Sequence, residues 1–319
     1  MKSNPTRATA HSRDEALDEV LGCLAKRRKT LPSKYFYDDR GSRLFEEICE
    51  LDEYYPTRAE IAILEAQGDA IGRAIGPRAM VIEYGSGSSR KVRALLDDLI
   101  DPAAYVPVDI SGEHLRRDAA ALTRDYPSIE ILPVEADYTL PFSLPRPRTP
   151  TARRVVWFAG SNIGNYAHAR AVEILGALAR TAGPGGGLLI GVDLRKDPAV
   201  LERAYDDARG VTAAFNLNIL EHLNRAFGAD FDLTKFRHRA RWNDAQGRVE
   251  MHLESLAPQS VHLGGRTIAL AAGETICTEY SYKYTVEGFA ELAAEAGWRS
   301  LAVWTDPGRL FSVHWMERG

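Results

Sequence analysis

Residues 80–89 read MVIEYGSGSS: an apolar run ends in Gly85 and Gly87, and helical spacing follows over residues 90–99. Glycine at such a junction lets the backbone approach a ligand and leaves the first amides of the next helix open. The same grammar repeats outward from this point. Strand-like runs YVPVDIS (105–111), IEILPVEADYT (129–139), VVWFAGSNIGN (155–165) and LLIGVDL (188–194) alternate with helical patterns over 113–125 and 168–182. That alternation predicts an α/β fold whose parallel sheet is covered by helices on both faces. The end of the chain differs. WRSLAVWTDPGRLFSVHWMERG (298–319) reads as strand, DPG turn, strand, so an antiparallel hairpin should close the sheet.

On the N-terminal side, residues 14–29 read as an amphipathic helix carrying Leu17, Val20, Leu21 and Leu24. A second helix is expected over 42–50, with Leu44, Phe45 and Ile48 on one face, and a third over 58–75. LPSKYFYDDRGS (31–42) reads as an aromatic-rich loop punctuated by Pro32 and Gly41, and Pro56 bars a continuous helix further on. Residues 195–284 fit no βα repeat. One long helix over 197–227 is expected there, then strands near 237–242, 248–258, 266–270 and 276–284. This block and the N-terminal helices are expected to form a second, α+β domain (1–58 plus 196–284), with the remainder (59–195 plus 285–319) as the sheet domain.

Composition narrows the function. The chain has 319 residues, 45% hydrophobic and 26% charged, which is ordinary for a globular protein. A net charge of −4 offers no footprint for nucleic acid, and the short basic run Lys26–Lys29 reads as a solvated helix end. Cys23, Cys49 and Cys277 are odd in number and widely spaced, without CxxC or zinc-type His spacing, so reduced thiols and no metal are expected. No signal-peptide core precedes the first helix, and no apolar run approaches the roughly 20 residues of a membrane span. A cytoplasmic monomer acting on a small molecule is the expectation.

The glycine loop lacks the third glycine of a dinucleotide cradle, since Arg90 stands at that position. Asp109 ends the second strand, where a carboxylate can bind ribose hydroxyls. Asp137 and Tyr138 end the third, within reach of an adenine ring. Ligands in such sheets bind at the carboxyl ends of the strands, where all of these residues fall. Asp109 and Asp137 acting only as helix caps is the competing reading. By fold analogy, the closing hairpin favours a class I methyltransferase over a dehydrogenase.

Seven blocks, in order, then carry a resemblance: LPSKYFYDDRGSRLFEEICELDEYYPTRAE (31–60), VIEYGSGSSRK (81–91), GSNIGN (160–165), VDLRKDP (192–198), AYDDARGVTAAFNLNIL (204–220), RVEMHLES (248–255) and TEYSYKY (278–284). Together they resemble the histidine-specific Nα-methyltransferases of ergothioneine biosynthesis. The cofactor loop EYGSGSS (83–89), Tyr166, His168 and the proline-rich linker 143–154 depart from the family pattern. The resemblance implies S-adenosylmethionine as methyl donor, no metal, and three transfers that convert histidine to hercynine. It also implies that 1–58 plus 196–284 is the substrate-binding domain and 59–195 plus 285–319 the cofactor-binding methyltransferase domain. It implies that Tyr37, Gly85, Lys91, Asp109, Asp137 and Tyr138 contact the cofactor, with Gly87 in the same loop. Asn165 and Tyr205 would hold the substrate carboxylate, and Gly160 and Thr212 would neighbour the amino group. Tyr54, Glu279 and Ser281 would recognise the imidazole, with Phe45 and Met251 lining the pocket.

Glu279 and Ser281 are two apart, so a strand projects both to one face and sends Tyr280 and Tyr282 to the other. A carboxylate beside a hydroxyl can bind both ring nitrogens of an imidazole. An exposed polar strand face near Lys283 is the competing reading. Asn165 could be only an N-cap, while Tyr205, four residues after Leu201, and Met251 could be plain core residues. Methyl transfer to another amino acid, such as tryptophan, and a catalytically silent binding protein are the alternative functions.

Overall fold

The computed structural model describes residues 13–86 and 89–318, so Gly87 lies outside the described residues. In chain order, the first elements are α1 (Arg13–Leu24), β1 (Lys29–Thr30), α2 (Asp39–Cys49) and α3 (Tyr55–Ile75). Next come β2 (Ala79–Tyr84), α4 (Ser89–Leu96), β3 (Ala104–Asp109), α5 (Gly112–Asp125), β4 (Glu130–Ile131) and β5 (Val134–Glu135). β6 (Arg153–Phe158), α6 (His168–Ala182) and β7 (Gly187–Asp193) follow, then α7 (Pro198–Tyr205) and α8 (Val211–Phe227). Five strands are then consecutive: β8 (Phe236–Asn243), β9 (Arg248–Ser255), β10 (Gln259–Leu263), β11 (Arg266–Leu270) and β12 (Thr275–Tyr282). α9 (Val286–Glu295), β13 (Trp298–Thr305) and β14 (Phe311–Arg318) complete the chain. Among the described residues, no helix is long and apolar enough to cross a membrane.

Two compact units result. The large-sheet unit comprises residues 56–195 and 283–318. Its strand order is β13-β14-β7-β6-β2-β3-β4, with β5 also paired to β3. β2, β3, β4, β5, β6 and β7 pair in parallel, whereas β14 runs antiparallel to β7 and to β13. This is the Rossmann-like sheet with a closing hairpin expected from the sequence. Strands buried on both faces explain the nearly unbroken apolar runs, and their alternation sorts two cores. Met80, Ile82 and Tyr84 of β2 meet α6 and α9, through residues such as Leu175, Leu178, Phe289 and Leu292. Ala79 and Val81 join the opposite core with Ile63, Leu64, Ile71 and Ile75 of α3 and Val92, Leu95 and Leu96 of α4. Strand order reverses between β2 and β6, which makes their carboxyl ends the topological switch point where such sheets bind ligands.

The small-sheet unit comprises residues 13–55 and 196–282. Its sheet runs β1-β12-β9-β8, with a separate β10-β11 hairpin. β9 alternates as a half-buried strand should, with Val249, Met251, Leu253 and Ser255 inward. Apolar residues of α8, among them Phe215, Ile219, Leu220 and Leu223, are buried.

Several boundaries depart from the sequence reading for identifiable reasons. The helix expected over 14–29 stops at Leu24; Ala25 to Arg28 are exposed, and Lys29 turns into β1 to pair with Ile276. α2 starts earlier than expected because Asp38 caps it, accepting the Gly41 N–H at 2.7 Å, so Gly41 lies in the helix rather than the loop. The single helix expected over 197–227 is two. Gly210 has φ +74°, and the Asp207 carboxylate takes the N–H groups of Val211 (3.1 Å) and Thr212 (2.7 Å), starting a new helix. The third strand is reduced to two short pairings around Pro133, which has no N–H to donate. β10 was not expected as a strand of its own.

Candidate active site

At the switch point of the large sheet, Gly85 follows β2 with φ +75°, and its N–H donates to the Val108 carbonyl at 2.9 Å. A Cβ placed there would lie 3.5 Å from Asn162 Nδ2 and 3.6 Å from the Tyr138 ring. The structure therefore brings Gly85, Tyr138 and the GSNIGN loop together. Tyr138 leans against Tyr84 and Phe158, with ring centroids 5.4 and 5.7 Å away, and its hydroxyl is 3.5 Å from that of Tyr166. Asp109 ends β3. Burial pushes its carboxyl above the ordinary value, opposed by N–H groups that include Ser111 at 2.8 Å. Asp137 accepts from the Thr139 N–H (2.9 Å) and hydroxyl (2.6 Å), which fixes the turn after β5. Neither aspartate is a helix cap, since Ser111 holds the N-cap position of α5 and the bonds of Asp137 close a turn that no helix follows.

Two acidic residues that the sequence reading passed over organise this end of the sheet. Glu60 of α3 is fully buried, ion-paired with Lys91 Nζ at 2.7 Å, and accepts the Gly160 N–H at 2.9 Å. It lies on the stripe of Ile63, Leu64, Ile71 and Ile75, and a charge on an apolar stripe was the signal available. Glu83, the one acidic residue of β2, accepts from the Tyr105 hydroxyl, and burial pushes its carboxyl up to about 8. The GSNIGN loop is further tied by Ser161, whose Oγ accepts the Asp193 N–H at 2.9 Å. Gly160 and Ser161 are both left-handed, at φ +72° and +58°. Asn165 ends the short helical turn Asn162–Asn165 and does not cap α6; Ala167 holds that position without a side-chain bond.

In the small-sheet unit, β9 pairs Met251 with Glu279 and Val249 with Ser281, after a bulge between Cys277 and Glu279. Met251 and Val249 face inward, so Glu279 and Ser281 share that inner face. Tyr280 and Tyr282 take the outer one, where the Arg248 guanidinium lies 3.7 and 5.1 Å from their rings. The exposed-face reading is excluded: Ser281 is buried, and Lys283 is buried in an ion pair with Asp193 at 2.6 Å. Tyr205, the last residue of α7, places its hydroxyl 2.7 Å from Ser281 Oγ. Tyr37, Phe45, Tyr54 and Tyr205 form a row of edge contacts 5.8, 6.2 and 6.2 Å apart. Burial raises the Tyr54 phenol well above its ordinary value, and Tyr205, Cys49 and Glu279 add to the effect, so it stays a proton donor. Thr212 is buried in the first turn of α8.

Comparison with known proteins then decides the family. Residues 16–318 match the family described as histidine-specific methyltransferase, SAM-dependent. The chain belongs to it. The histidine N-alpha-methyltransferase of Mycolicibacterium smegmatis is 43% identical over 311 residues, covering 95% of each chain. Its counterpart from Mycobacterium tuberculosis is 42% identical over 301 residues, covering 92% of each. Ergothioneine biosynthesis protein 1 of Neurospora crassa is 30% identical over 298 residues, which are 91% of this chain and 33% of the fungal protein.

As a methyltransferase of this family, the chain uses S-adenosylmethionine, and the residues at the switch point suit it. Left-handed Gly85 keeps the loop open beside Tyr138, Asp109 offers a carboxylate at a strand end, and Tyr138 offers a flat wall. No group of three or more His, Cys, Asp or Glu among the described residues is placed to hold a metal ion.

Proposed function

We propose that this chain transfers methyl groups from S-adenosylmethionine to the α-amino nitrogen of L-histidine, three in succession, giving hercynine. The observation that carries the reading is the inner face of the small sheet. There Glu279, Ser281 and Met251 share one surface, with the Tyr205 hydroxyl on Ser281 and the Tyr54 phenol nearby. Carboxylate and hydroxyl beside an aromatic and thioether lining is the polarity an imidazole with two ring nitrogens requires. Glu279 and Ser281 are assigned to those nitrogens together with Tyr54, and Phe45 and Met251 to the ring faces.

Asn165 and Tyr205 are assigned to the substrate carboxylate, and Gly160 and Thr212 to the neighbourhood of the amino group. Gly85, Lys91, Asp109, Asp137 and Tyr138 are assigned to the cofactor, with Tyr37 and Gly87 as further contacts. The cofactor supplies an electrophilic methyl group on a sulfonium. The protein's task is to hold the acceptor amine with its lone pair free and aimed, and orientation of this kind contributes up to about 7–11 kcal/mol. A strong base is not required, because the amine is only moderately basic. Anchoring the ring and carboxylate leaves the nitrogen free to carry one, two or three methyl groups. We assign the protein to the cytoplasm as a monomer acting on small molecules, in keeping with its net charge of −4 and three cysteines outside any disulfide.

The test is mass spectrometry after incubation with S-adenosylmethionine and an equimolar mixture of the standard amino acids. Histidine gaining one, two and three methyl groups is the expected result. Methylation of a different amino acid would overturn the acceptor, and no methylation would favour a silent binding protein.

A further inference from the structure

Beneath the inner face of the small sheet runs a chain of buried polar groups that the assigned roles leave unused. β8 reads FRHRARWN, and its arginines face outward, with Arg237 and Arg239 paired to Glu254. His238 faces inward and is buried. A histidine there is costly unless both ring nitrogens are satisfied. Both are. Its Nε2 donates to the Tyr205 carbonyl at 2.8 Å, and its Nδ1 lies 2.8 Å from Asn216 Nδ2.

The direction of each bond follows from the chemistry. A carbonyl only accepts, so Nε2 carries the proton and the bare Nδ1 accepts from Asn216. Asn216, fully buried in α8, also donates to the His252 carbonyl at 3.1 Å, which prevents its amide from flipping. Its Oδ1 accepts the Thr278 hydroxyl at 2.7 Å. Thr278 sits inside the β12 bulge, immediately before Glu279. Tyr205, at the other end, returns through its phenol to Ser281. Thr278, Asn216, His238, Tyr205 and Ser281 therefore close a ring that starts and ends on β12, on either side of Glu279.

We infer that His238, with Asn216 and Thr278, is a positioning residue that sets Tyr205 and the bulged segment of β12 for acceptor binding. The inference rests on the reading of this face as the acceptor site. Burial holds the imidazole neutral, against the pull of the Tyr205 carbonyl, Asp206 and Asp207. A neutral ring is what the bond polarity requires.

The test uses the full-length protein and calorimetric titration with L-histidine and, separately, S-adenosylhomocysteine. His238→Leu removes both bonds, His238→Gln keeps a donor close to the Nε2 position, and Thr278→Val cuts the far end of the ring at equal volume. Losing one or two buried bonds predicts histidine binding weakened about 10-fold or more in H238L and about 3–10-fold in T278V. S-adenosylhomocysteine binding should stay within about 2-fold, and H238Q should restore most of the loss. Equal losses for both ligands, or unchanged histidine binding in either T278V or H238L, would overturn the positioning role. Nitrogen NMR of wild-type protein labelled in its histidines is a second readout, and a Nδ1-protonated His238 would overturn the inference even if H238L fails to fold. A wild-type protein that takes a different amino acid refutes the acceptor identity alone; the same variants titrated with that amino acid still decide the role of His238.

Discussion

The hydroxyls of Tyr205 and Ser281 lie 2.7 Å apart in a buried setting, tying the end of α7 to the strand that carries Glu279. Tyr205→Phe leaves the Ser281 hydroxyl without that partner, and Ser281→Ala does the reverse. Each should weaken histidine binding by about 10-fold, the usual scale for losing one buried hydrogen bond. The double variant should lose less than the two single losses combined, because both remove one bond. Fully additive losses in calorimetry would mean that the two hydroxyls act separately.

Glu279 and Asp109 should divide the two ligands between them. Replacing Glu279 with Ala is expected to weaken histidine about 10–100-fold, the range for a charged hydrogen bond, while leaving S-adenosylhomocysteine affinity intact. Asp109→Ala should show the opposite pattern. Equal effects on both ligands in either variant would refute its assignment.

The Glu60–Lys91 pair is buried, and Gly160 depends on the same carboxylate. Lys91→Met strands a buried charge and should cost about 3–5 kcal/mol of stability in denaturant unfolding. Adding Glu60→Gln to Lys91→Met removes that charge and should recover a large part of the loss. A double variant no more stable than K91M would show that the charge is not the cause.

Glu83 gives stability a pH slope. Its carboxyl ordinarily titrates near 4.5, and burial, opposed by the Tyr105 hydroxyl and Lys91, raises it to about 8 in the folded protein. Between those values the folded state holds a proton that the unfolded chain has released, so stability falls as pH rises through the window. Glu83→Gln cannot ionise and should lack this slope. Its melting temperature relative to wild type should therefore climb from pH 5 to pH 8. Parallel curves would place Glu83's titration outside that range.

Local pattern disclosed most of the large sheet, because strands buried on both faces must be apolar throughout and must end where glycine turns the chain. The helical pattern over 168–182 coincides with α6. Failures came where a single side chain overrides periodicity. Asp207 splits a long helical pattern by capping Val211 and Thr212, and Asp38 starts α2 early. At the candidate site, Asp109 and Tyr138 could be singled out because strand ends are visible in sequence. Glu60 and His238 could not, since each matters through partners far along the chain: Lys91 and Gly160 for one, Asn216 and the Tyr205 carbonyl for the other. The bulge before Glu279 was equally hidden, because it exists only in the pairing of β12 with β9.

The pairing of β1 with β12, Thr30 opposite Cys277, sets a timetable for biosynthesis. A ribosome making about 5–20 residues per second must add roughly 250 more after Thr30 before its partner strand exists, a wait on the order of 10–50 s. The sheet strands β2 to β7 are all translated within that interval. Tyr35 and Phe36, buried in the finished protein, pack on His222, Phe227 and Phe215 of α8, so their burial waits in turn for about 180–190 further residues.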